Sequence, residues 1–248
     1  MDAGTFAVEA RTEATHWWFV GRRRLFAREI IRAEVSRVAR ALDVGTSTGT
    51  NLRMLRDLGF SGVEGLDLSE EAIRYCAEKA LGPVREGDIC AMPFGDGSFD
   101  LILATDVIEH VEDDRLALSE VARALKPGGL AIITVPAFQT LYGLQDRVAQ
   151  HRRRYRKRDL VEKIRASGLE IESIYYFNYV LFLPIWLARR LIDLLGTRLN
   201  SEAELNSPAV NWFLTKVFTL DVLSARFLSP PFGVSLLAIA KKSGVRPE

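Results

Sequence analysis

The sequence predicts an α/β fold, a seven-stranded and mostly parallel sheet with helices on both faces. Short apolar segments such as Phe99–Ala104 and Leu130–Val135 alternate with amphipathic helices between residues 41 and 177. Strands that are apolar along their whole length are typical of parallel sheets, which are covered on both sides. The chain has 248 residues, of which 48% are hydrophobic and 26% charged, so its size suits one such domain with an elaboration.

Each element has a local signal. The predicted strands are Ala41–Val44, Gly62–Leu66, Val84–Glu86, Phe99–Ala104, Leu130–Val135, Leu169–Phe177 and Val234–Ala240. The predicted helices between and after them are Gly49–Leu58, Glu70–Lys79, Val111–Leu125, Lys157–Ser167, Leu183–Leu195 and 208–227. Ser69 is a favourable N-cap, and Ser207 followed by Pro208 marks another helix start. The glycines after Pro127 are expected to end a helix.

Three segments divide the chain. Residues 1–40 are predicted to form a helical extension with a dense aromatic patch at His16–Phe19, packed on the sheet edge or acting as a lid over a ligand. Residues 41–177 together with 234–243 are predicted to form the ligand-binding domain. Residues 178–233 are too long for a connection and too apolar for a flexible loop, so they predict a helical insertion or cap between the last two strands.

The charge is unevenly distributed. The net charge is +1, but residues 64–114 contain 14 acids and 3 bases, which leaves an excess of +12 for the remainder. Basic residues concentrate near Arg22–Arg24 and in Arg152–Arg158. Such runs are usually solvated, yet they leave room for an anionic substrate or an anionic membrane surface.

Other features of the sequence bear on metal binding, on location in the cell and on membrane insertion. The two cysteines have no metal-like spacing, so no metal site is expected. We find no signal-peptide pattern and therefore expect a cytoplasmic protein, with peripheral membrane contact left open. The uncharged stretch 173–188 is shorter than the roughly 20 residues that a membrane-spanning helix needs.

The stretch Ala41–Asn51 is the centre of the predicted site. It runs from a buried strand through two glycines into a helix, which brings backbone N–H groups close to a ligand. Asp67 follows at the end of the second strand, where a carboxylate can accept both ribose hydroxyls. Asp88 beside Ile89 suits an adenine. Because no phosphate-binding Gly-Lys-Ser/Thr motif is present, a ligand with adenosine at one end and a cation at the other fits best, as in S-adenosylmethionine.

These motifs together resemble class I S-adenosylmethionine-dependent methyltransferases, which have a Rossmann-like fold. The resemblance rests on residues 42–49, 65–69, 86–89, 93–100, 106–111 and 125–129. It implies S-adenosylmethionine as the cofactor and a set of cofactor-binding residues: Asp43, Gly45, Thr46, Gly49, Asp67, Leu68, Asp88, Ile89 and Thr105. Ser47 departs from the pattern, because the family often has glycine there and serine restricts positive φ.

Methyl transfer needs donor and acceptor held in line, and a base only if the acceptor loses a proton. His110 and His151 are the predicted catalytic residues. His16, Trp17 and Tyr155 are candidates for contacting the substrate. The segment from His151 to Leu169 also resembles the loop and helix of small-molecule and quinone-type methyltransferases.

The predicted function is methyl transfer to a small or lipid-like acceptor, whose identity and acceptor atom the sequence does not define. A nucleic-acid methyltransferase is the alternative enzyme, although the chain lacks an Asn-Pro-Pro-Tyr-like motif for flipped bases. A third alternative is a non-catalytic binding protein that dimerises through Trp186 and Trp212. A homodimer and peripheral membrane contact are therefore left open, and no nucleic-acid partner is expected.

Overall fold

A computed structural model describes residues 3–195 and 207–244, and of these the side chains of 6–191 and 207–244. Its strands are β1 Arg40–Val44, β2 Gly62–Asp67, β3 Val84–Glu86, β4 Phe99–Thr105, β5 Leu125–Pro136, β6 Leu169–Phe177 and β7 Ser235–Lys242. They form one seven-stranded sheet in the order β3-β2-β1-β4-β5-β7-β6. β1 to β5 pair in parallel, and β7 is antiparallel to both neighbours. The predicted fold class is confirmed.

Helices cover both faces of this sheet. In the described ranges they are α1 Ala3–Thr12, α2 Trp17–Arg32, α3 Thr50–Asp57, α4 Glu70–Glu78, α5 Asp114–Ala124, α6 Leu144–Val148, α7 Lys157–Ala166, α8 Phe182–Leu195 and α9 Pro208–Leu228. α1 and α2 precede the sheet, and α8 and α9 lie between β6 and β7, where an extension and an insertion were predicted. Part of the predicted insertion, residues 196–206, lies outside the described residues.

The core has two layers because strand side chains alternate between the faces of the sheet. On β4, Ile102 and Ala104 pack in the cluster that includes α5 and α7. Leu101 and Leu103 pack in the cluster that includes α2, α3 and α9. Because β1 pairs in parallel with both β2 and β4, the carboxyl ends of these three strands meet at one edge of the sheet. This edge is where open α/β sheets bind ligands.

Two predicted boundaries differ from the structure. β5 begins at Leu125 rather than Leu130, and the irregular Pro-Gly-Gly segment lies inside it as a register shift opposite Phe99 and Leu101. α5 begins at Asp114 rather than Val111, because the Asp113 carboxylate accepts a hydrogen bond from the Leu116 N–H at 2.9 Å and caps the helix there. His110 therefore lies in a turn ahead of the helix.

Candidate functional site

A cavity of about 830 Å³ opens at the carboxyl ends of β1, β2 and β4. The turn after β1 and the end of β2 form one side, and side chains of α1 and α2, including Phe6, Glu9 and Trp17, form another. Its volume lies in the range of small-molecule and cofactor sites. The cavity brings the predicted cofactor turn and the predicted histidines into one space.

Gly45 begins the turn with φ +71°. A Cβ added there would lie 2.4 Å from Val107 Cγ2, far inside contact distance. Its N–H donates to the Leu66 carbonyl at 2.7 Å, which ties the turn to β2. Glycine at this position therefore serves both the backbone conformation and the close approach of the segment after β4.

Gly45→Ala is expected to destabilise the chain more than Gly59→Ala. Gly59 has a comparable φ of +90° but no atom within 4 Å of an added Cβ, so it controls for the cost of the left-handed conformation alone. Overpacking of a protein interior costs about 1–3 kcal/mol. The melting temperature of Gly45→Ala should therefore fall by about 2–4 °C or more below that of Gly59→Ala. Thermal unfolding followed by circular dichroism measures the difference; equal shifts would contradict the packing role.

Ser47, the departure from the family pattern, adopts φ +46°. The position therefore does use the left-handed conformation that favours glycine, and serine accepts it here. Its N–H donates to Asp67 Oδ2 at 3.0 Å. Ser47 thus keeps the turn closed against the end of β2.

Asp67 lies where the sequence predicted, at the cavity edge after β2. Besides the Ser47 bond, its Oδ1 accepts the Ser69 N–H at 2.9 Å, while burial raises the pKa of Asp67. Thr46 and Leu68 also line the cavity. Two fixed backbone donors hold this carboxylate in place and leave lone pairs for a ligand.

Ile89 lines the same cavity, but Asp88 does not. The Asp88 carboxylate instead accepts the Cys90 N–H at 2.8 Å and caps a short 3-10 turn. The predicted contact between Asp88 and an adenine amine therefore remains a prediction, and the structure favours Ile89 as the side chain facing a ligand.

Asp43 is fully buried beneath the turn and does not line the cavity. Its Oδ1 accepts from Asn51 Nδ2 at 3.0 Å, and Asn51 Nδ2 also reaches Thr105 Oγ1 at 3.0 Å. Its Oδ2 is buried without a hydrogen-bond partner in the described structure. Burial raises the pKa of Asp43 to about 8. The structure therefore does not bring the Asp43 side chain to the cavity surface, and its predicted role toward the cofactor stays a prediction.

Asp43→Asn is expected to flatten the pH dependence of stability. An acid whose pKa is raised by folding holds its proton more tightly in the folded chain, so the stability it confers is full below about pH 4 and is lost as the pH rises toward about 8. At pH 8 the variant should therefore melt at a higher temperature than the unmodified chain does. This gain in melting temperature should exceed the gain at pH 5 by about 2–4 °C or more. A pH series of thermal melts without ligand tests this; parallel curves would refute it.

Arg22 on α2 is a cavity residue that the sequence analysis had not assigned to the site. Its guanidinium bonds Asp106 Oδ2 at 2.5 Å, and its Nε is buried without a hydrogen-bond partner in the described structure. It also lies over the ring of Trp18, 5.4 Å from the centroid. A fixed guanidinium with an unused donor is suited to a carboxylate.

Helix α1 lies over the glycine turn. Glu13, the residue after α1, accepts from Thr48 Oγ1. Lys79, the C-cap of α4, donates from Nζ to both Glu13 Oε1 at 2.6 Å and the Thr48 carbonyl at 2.7 Å. Glu9 lines the cavity, and burial raises the pKa of its carboxyl group. The extension thus contacts the glycine turn, while α2 packs in the core. Its action as a lid over a ligand stays a prediction.

His151 lies in the cavity wall with a defined hydrogen-bond partner. Its Nδ1 is 2.8 Å from Asp146 Oδ1. Burial alone would raise the pKa of Asp146, but hydrogen bonds from His151 and Arg154 outweigh it and hold that pKa well below its usual range. An ionised carboxylate only accepts hydrogen bonds, so Nδ1 carries a proton and donates to Asp146, and Nε2 is the ring nitrogen left for another partner.

His151 Nε2 is 3.8 Å from Oε1 of Glu109, a fully buried residue. Both Glu109 carboxylate oxygens are buried without hydrogen-bond partners in the described structure, and burial raises the pKa of Glu109 well above its ordinary value. His110 lies against His151 with ring centroids 4.8 Å apart, and burial lowers the pKa of His110 to about 4. Ligand atoms of the three residues lie within 4.8 Å of one another, close enough to hold a divalent cation.

The structure separates the three predicted substrate residues. His16 and Trp17 line the cavity. His16 also caps α2, its Nδ1 accepting the Trp18 N–H at 3.3 Å, and burial lowers its pKa to about 4. Tyr155 is buried away from the cavity, where its hydroxyl donates to Asp114 Oδ2 at 2.7 Å. The structure therefore does not bring Tyr155 to the site, and its contacts are those of a packing residue.

The residues that the sequence analysis missed are Arg22, Asn51, Glu109 and Asp146. Arg22 shares an i, i+4 stripe with Trp18 and Phe26, which could have marked it as inward-facing. No sequence pattern marks Asp146 as inward-facing, because an acid close to an arginine-rich run is typical of a solvent-exposed loop.

The residues present fit S-adenosylmethionine. Asp67 suits the ribose, Ile89 an adenine face, and the unused Arg22 Nε the carboxylate of the methionine part. The unpaired Asp43 Oδ2 is a buried polar atom near the turn, and a water-bridged ammonium group would favour its ionised form.

Comparison with known proteins agrees with this geometry. Residues 42–133 match the family model of a methyltransferase domain. The chain is 33% identical over 117 residues to a demethylmenaquinone methyltransferase of Staphylococcus aureus, covering 42% of this chain and 48% of that protein. It is 28% identical over 135 residues to a probable S-adenosylmethionine-dependent methyltransferase of Mycolicibacterium smegmatis, covering 53% and 52%. The chain thus spans about half the length of the curated relatives it matches.

A solved structure extends the likeness to nearly the whole chain. It is the putative methyltransferase in complex with the Haloferax volcanii Trm112 activator, with a TM-score of 0.65, 21% identity, and coverage of 99% of this chain and 97% of that one. At this identity the likeness concerns the fold.

Fold and family match agree on the class that this part of the chain resembles: residues 42–133 are similar to a methyltransferase domain and lie in a seven-stranded Rossmann-like sheet. Among the relatives compared, this domain is similar to that of the S. aureus demethylmenaquinone methyltransferase.

Proposed function

We propose that this chain transfers the methyl group of S-adenosylmethionine to a small, lipid-like acceptor. The observation that carries the proposal is that one cavity joins the glycine turn and Asp67 to His110, His151 and the aromatic side chains of α2. A donor site and an acceptor site in one enclosed space are what an in-line displacement requires.

Each cofactor residue has a stated task. Asp67 accepts the ribose hydroxyls, Ile89 packs on the adenine, and Asp88 binds its exocyclic amine. Gly45 and Gly49 let the backbone approach the methionine part, and Arg22 donates to its carboxylate. The sulfonium of the bound cofactor supplies an electrophilic methyl group, so the protein mainly positions the acceptor and excludes water.

His151 is the base that we assign to an acceptor with a hydroxyl or amine. Its Nε2 takes the acceptor's proton, and the ionised Asp146 bonded to Nδ1 stabilises the resulting imidazolium. His110 is the weaker candidate, because a group with a pKa near 4 is a poor base at neutral pH.

Two observations support a lipid-like acceptor. Apolar side chains that line the cavity include Phe6, Trp17, Ile185 and Leu214. The S. aureus relative is named for a demethylated menaquinone, and the domain here is similar to it. An apolar acceptor implies work at a membrane surface, with homodimerisation as the alternative role of the insertion.

The test is transfer from methyl-labelled S-adenosylmethionine to a panel of prenylated phenols, lipid extract, RNA and DNA. We expect label in the apolar fraction. Label in RNA or DNA would favour a nucleic-acid methyltransferase, and cofactor binding without transfer to any acceptor would favour a non-catalytic protein.

A further inference from the structure

We propose that α8 and α9 dock the chain on an anionic lipid bilayer and form the route by which the acceptor enters the cavity. The proposed route depends on the proposed lipid-like acceptor, whereas the proposed docking is argued from the exposed side chains of the two helices alone. No helix among the described residues meets the length and hydropathy of a membrane span, so the contact is with the surface of the bilayer.

Helix α9 is apolar on two faces. One face, with Phe218, Val222 and Ala225, is buried in the core. The other carries Phe213, Leu220, Leu223 and Phe227, spaced three, four or seven residues apart, and these side chains are 47% to 89% exposed. A helix at the surface of a globular domain normally presents polar residues outward, so this apolar stripe indicates a surface that something else covers.

Helix α8 repeats this arrangement. Leu183, Leu187 and Leu191 recur every four residues, and each is about half exposed. Buried Arg189 on the same helix donates to the Leu141 carbonyl at 2.6 Å and holds the helix on the domain. The exposed leucines are thus presented on a helix that is fixed in place.

The exposed charges around these stripes have one sign. Among the described side chains of α2, α8 and α9, the exposed ionisable residues are Arg24, Arg32, Arg190 and Lys216. Among the same described side chains the two acids are buried: Glu29 binds Tyr175 and Arg226, and Asp221 accepts the N–H groups of residues 178 and 180. A basic rim around apolar side chains complements an anionic bilayer, whereas two copies of the same face would repel each other.

Tryptophan and cation pairs also occur on these helices. Arg190 lies over Trp186 at 5.9 Å, and Lys216 over Trp212 at 5.7 Å. Trp212 is 64% exposed. Tryptophan and long basic side chains are the residues that place an apolar body in the acyl region and a polar end among the headgroups.

The same helices line the cavity. Ile185 and Ala188 of α8 and Leu214 of α9 belong to its lining. An apolar acceptor that leaves the bilayer along these helices therefore reaches the cavity past apolar side chains.

The experiment is co-sedimentation of the full chain with vesicles of a zwitterionic phospholipid, alone or mixed with an anionic phospholipid. We expect binding to the mixed vesicles, and a loss of about tenfold or more in partitioning for the double variant Leu220→Asp, Phe227→Asp. Val38→Asp is the control for a new exposed carboxylate, because Val38 is 82% exposed and belongs to the segment between α2 and β1 rather than to either helix. Arg190→Ala with Lys216→Ala should remove the preference for anionic vesicles.

Two results would overturn the docking proposal. One is no sedimentation, or equal sedimentation with both kinds of vesicle. The other is a dimer in analytical ultracentrifugation that the Leu220→Asp, Phe227→Asp variant dissociates, without vesicle binding. Calorimetric titration with S-adenosylmethionine is run on the unmodified chain and on every variant. No binding by the unmodified chain would count against the proposed function, whereas variants that keep cofactor binding and lose sedimentation report on docking alone.

Discussion

Replacing Asp67 by alanine is expected to weaken S-adenosylmethionine binding by about 100-fold or more. The carboxylate is fixed by the N–H groups of Ser47 and Ser69 and lies at the cavity edge after β2. Hydrogen bonds to a charged group contribute about 1.5–3 kcal/mol each, and we assign two ribose hydroxyls to this one carboxylate. Isothermal titration calorimetry measures the loss.

Asp57→Ala is the matched control, because Asp57 is an exposed acid at the end of α3. It changes the net charge equally and should leave the affinity unchanged. Because Asp67 also closes the turn against β2, circular dichroism must show that the Asp67→Ala variant is folded. Unchanged affinity in a folded Asp67→Ala variant would refute the ribose assignment.

Replacing His151 by alanine is expected to lower the turnover number by about 100- to 10,000-fold and to leave the affinity for the cofactor unchanged. The reason is the defined tautomer: Asp146 accepts from Nδ1 at 2.8 Å, which leaves Nε2 to take a proton from the acceptor. Single-turnover transfer from labelled cofactor, with an acceptor found in the panel, measures the effect.

His110→Ala is the comparison that makes this test specific. His110 lines the same cavity, but its pKa of about 4 makes it a weak base, so the loss of turnover should be under about tenfold. A larger loss for His110 than for His151 would assign the base to His110 instead. Equal and small losses would show that the acceptor needs no base.

The fold was predictable because its signals are local. Apolar strands, Ser69 and Ser207 as caps, and the turn after β1 each act within a few residues. The boundary errors at α5 and β5 come from side-chain and register effects. Asp113 caps α5 three residues late, and the strand absorbs its Pro-Gly-Gly segment because Leu125 still pairs with Phe99.

The positions of Gly45, Asp67 and Ile89 at the cavity were also accessible from the sequence, since they follow strands that end at one edge. The surroundings of His151 were not. Asp146 and Tyr155 look alike as polar loop residues, yet one orients His151 and the other packs on Asp114. Only the tertiary arrangement of the loop after β5 separates these roles.

Arg22 illustrates the same limit. Three consecutive arginines suggest a solvated basic patch, and only the packing of α2 shows which of them faces Asp106. For the insertion that contains α8 and α9, the sequence likewise left a homodimer and peripheral membrane contact open. The exposure of their apolar stripes is a property of the folded chain.

The most direct test of the central claim is calorimetric titration of the unmodified chain with S-adenosylmethionine, beside ATP as a ligand with the same adenosine but a triphosphate. The site described here predicts one molecule of S-adenosylmethionine per chain with micromolar affinity and no binding of ATP. No heat at millimolar S-adenosylmethionine, or tighter binding of ATP, would contradict the assignment of this cavity as a methyl-donor site.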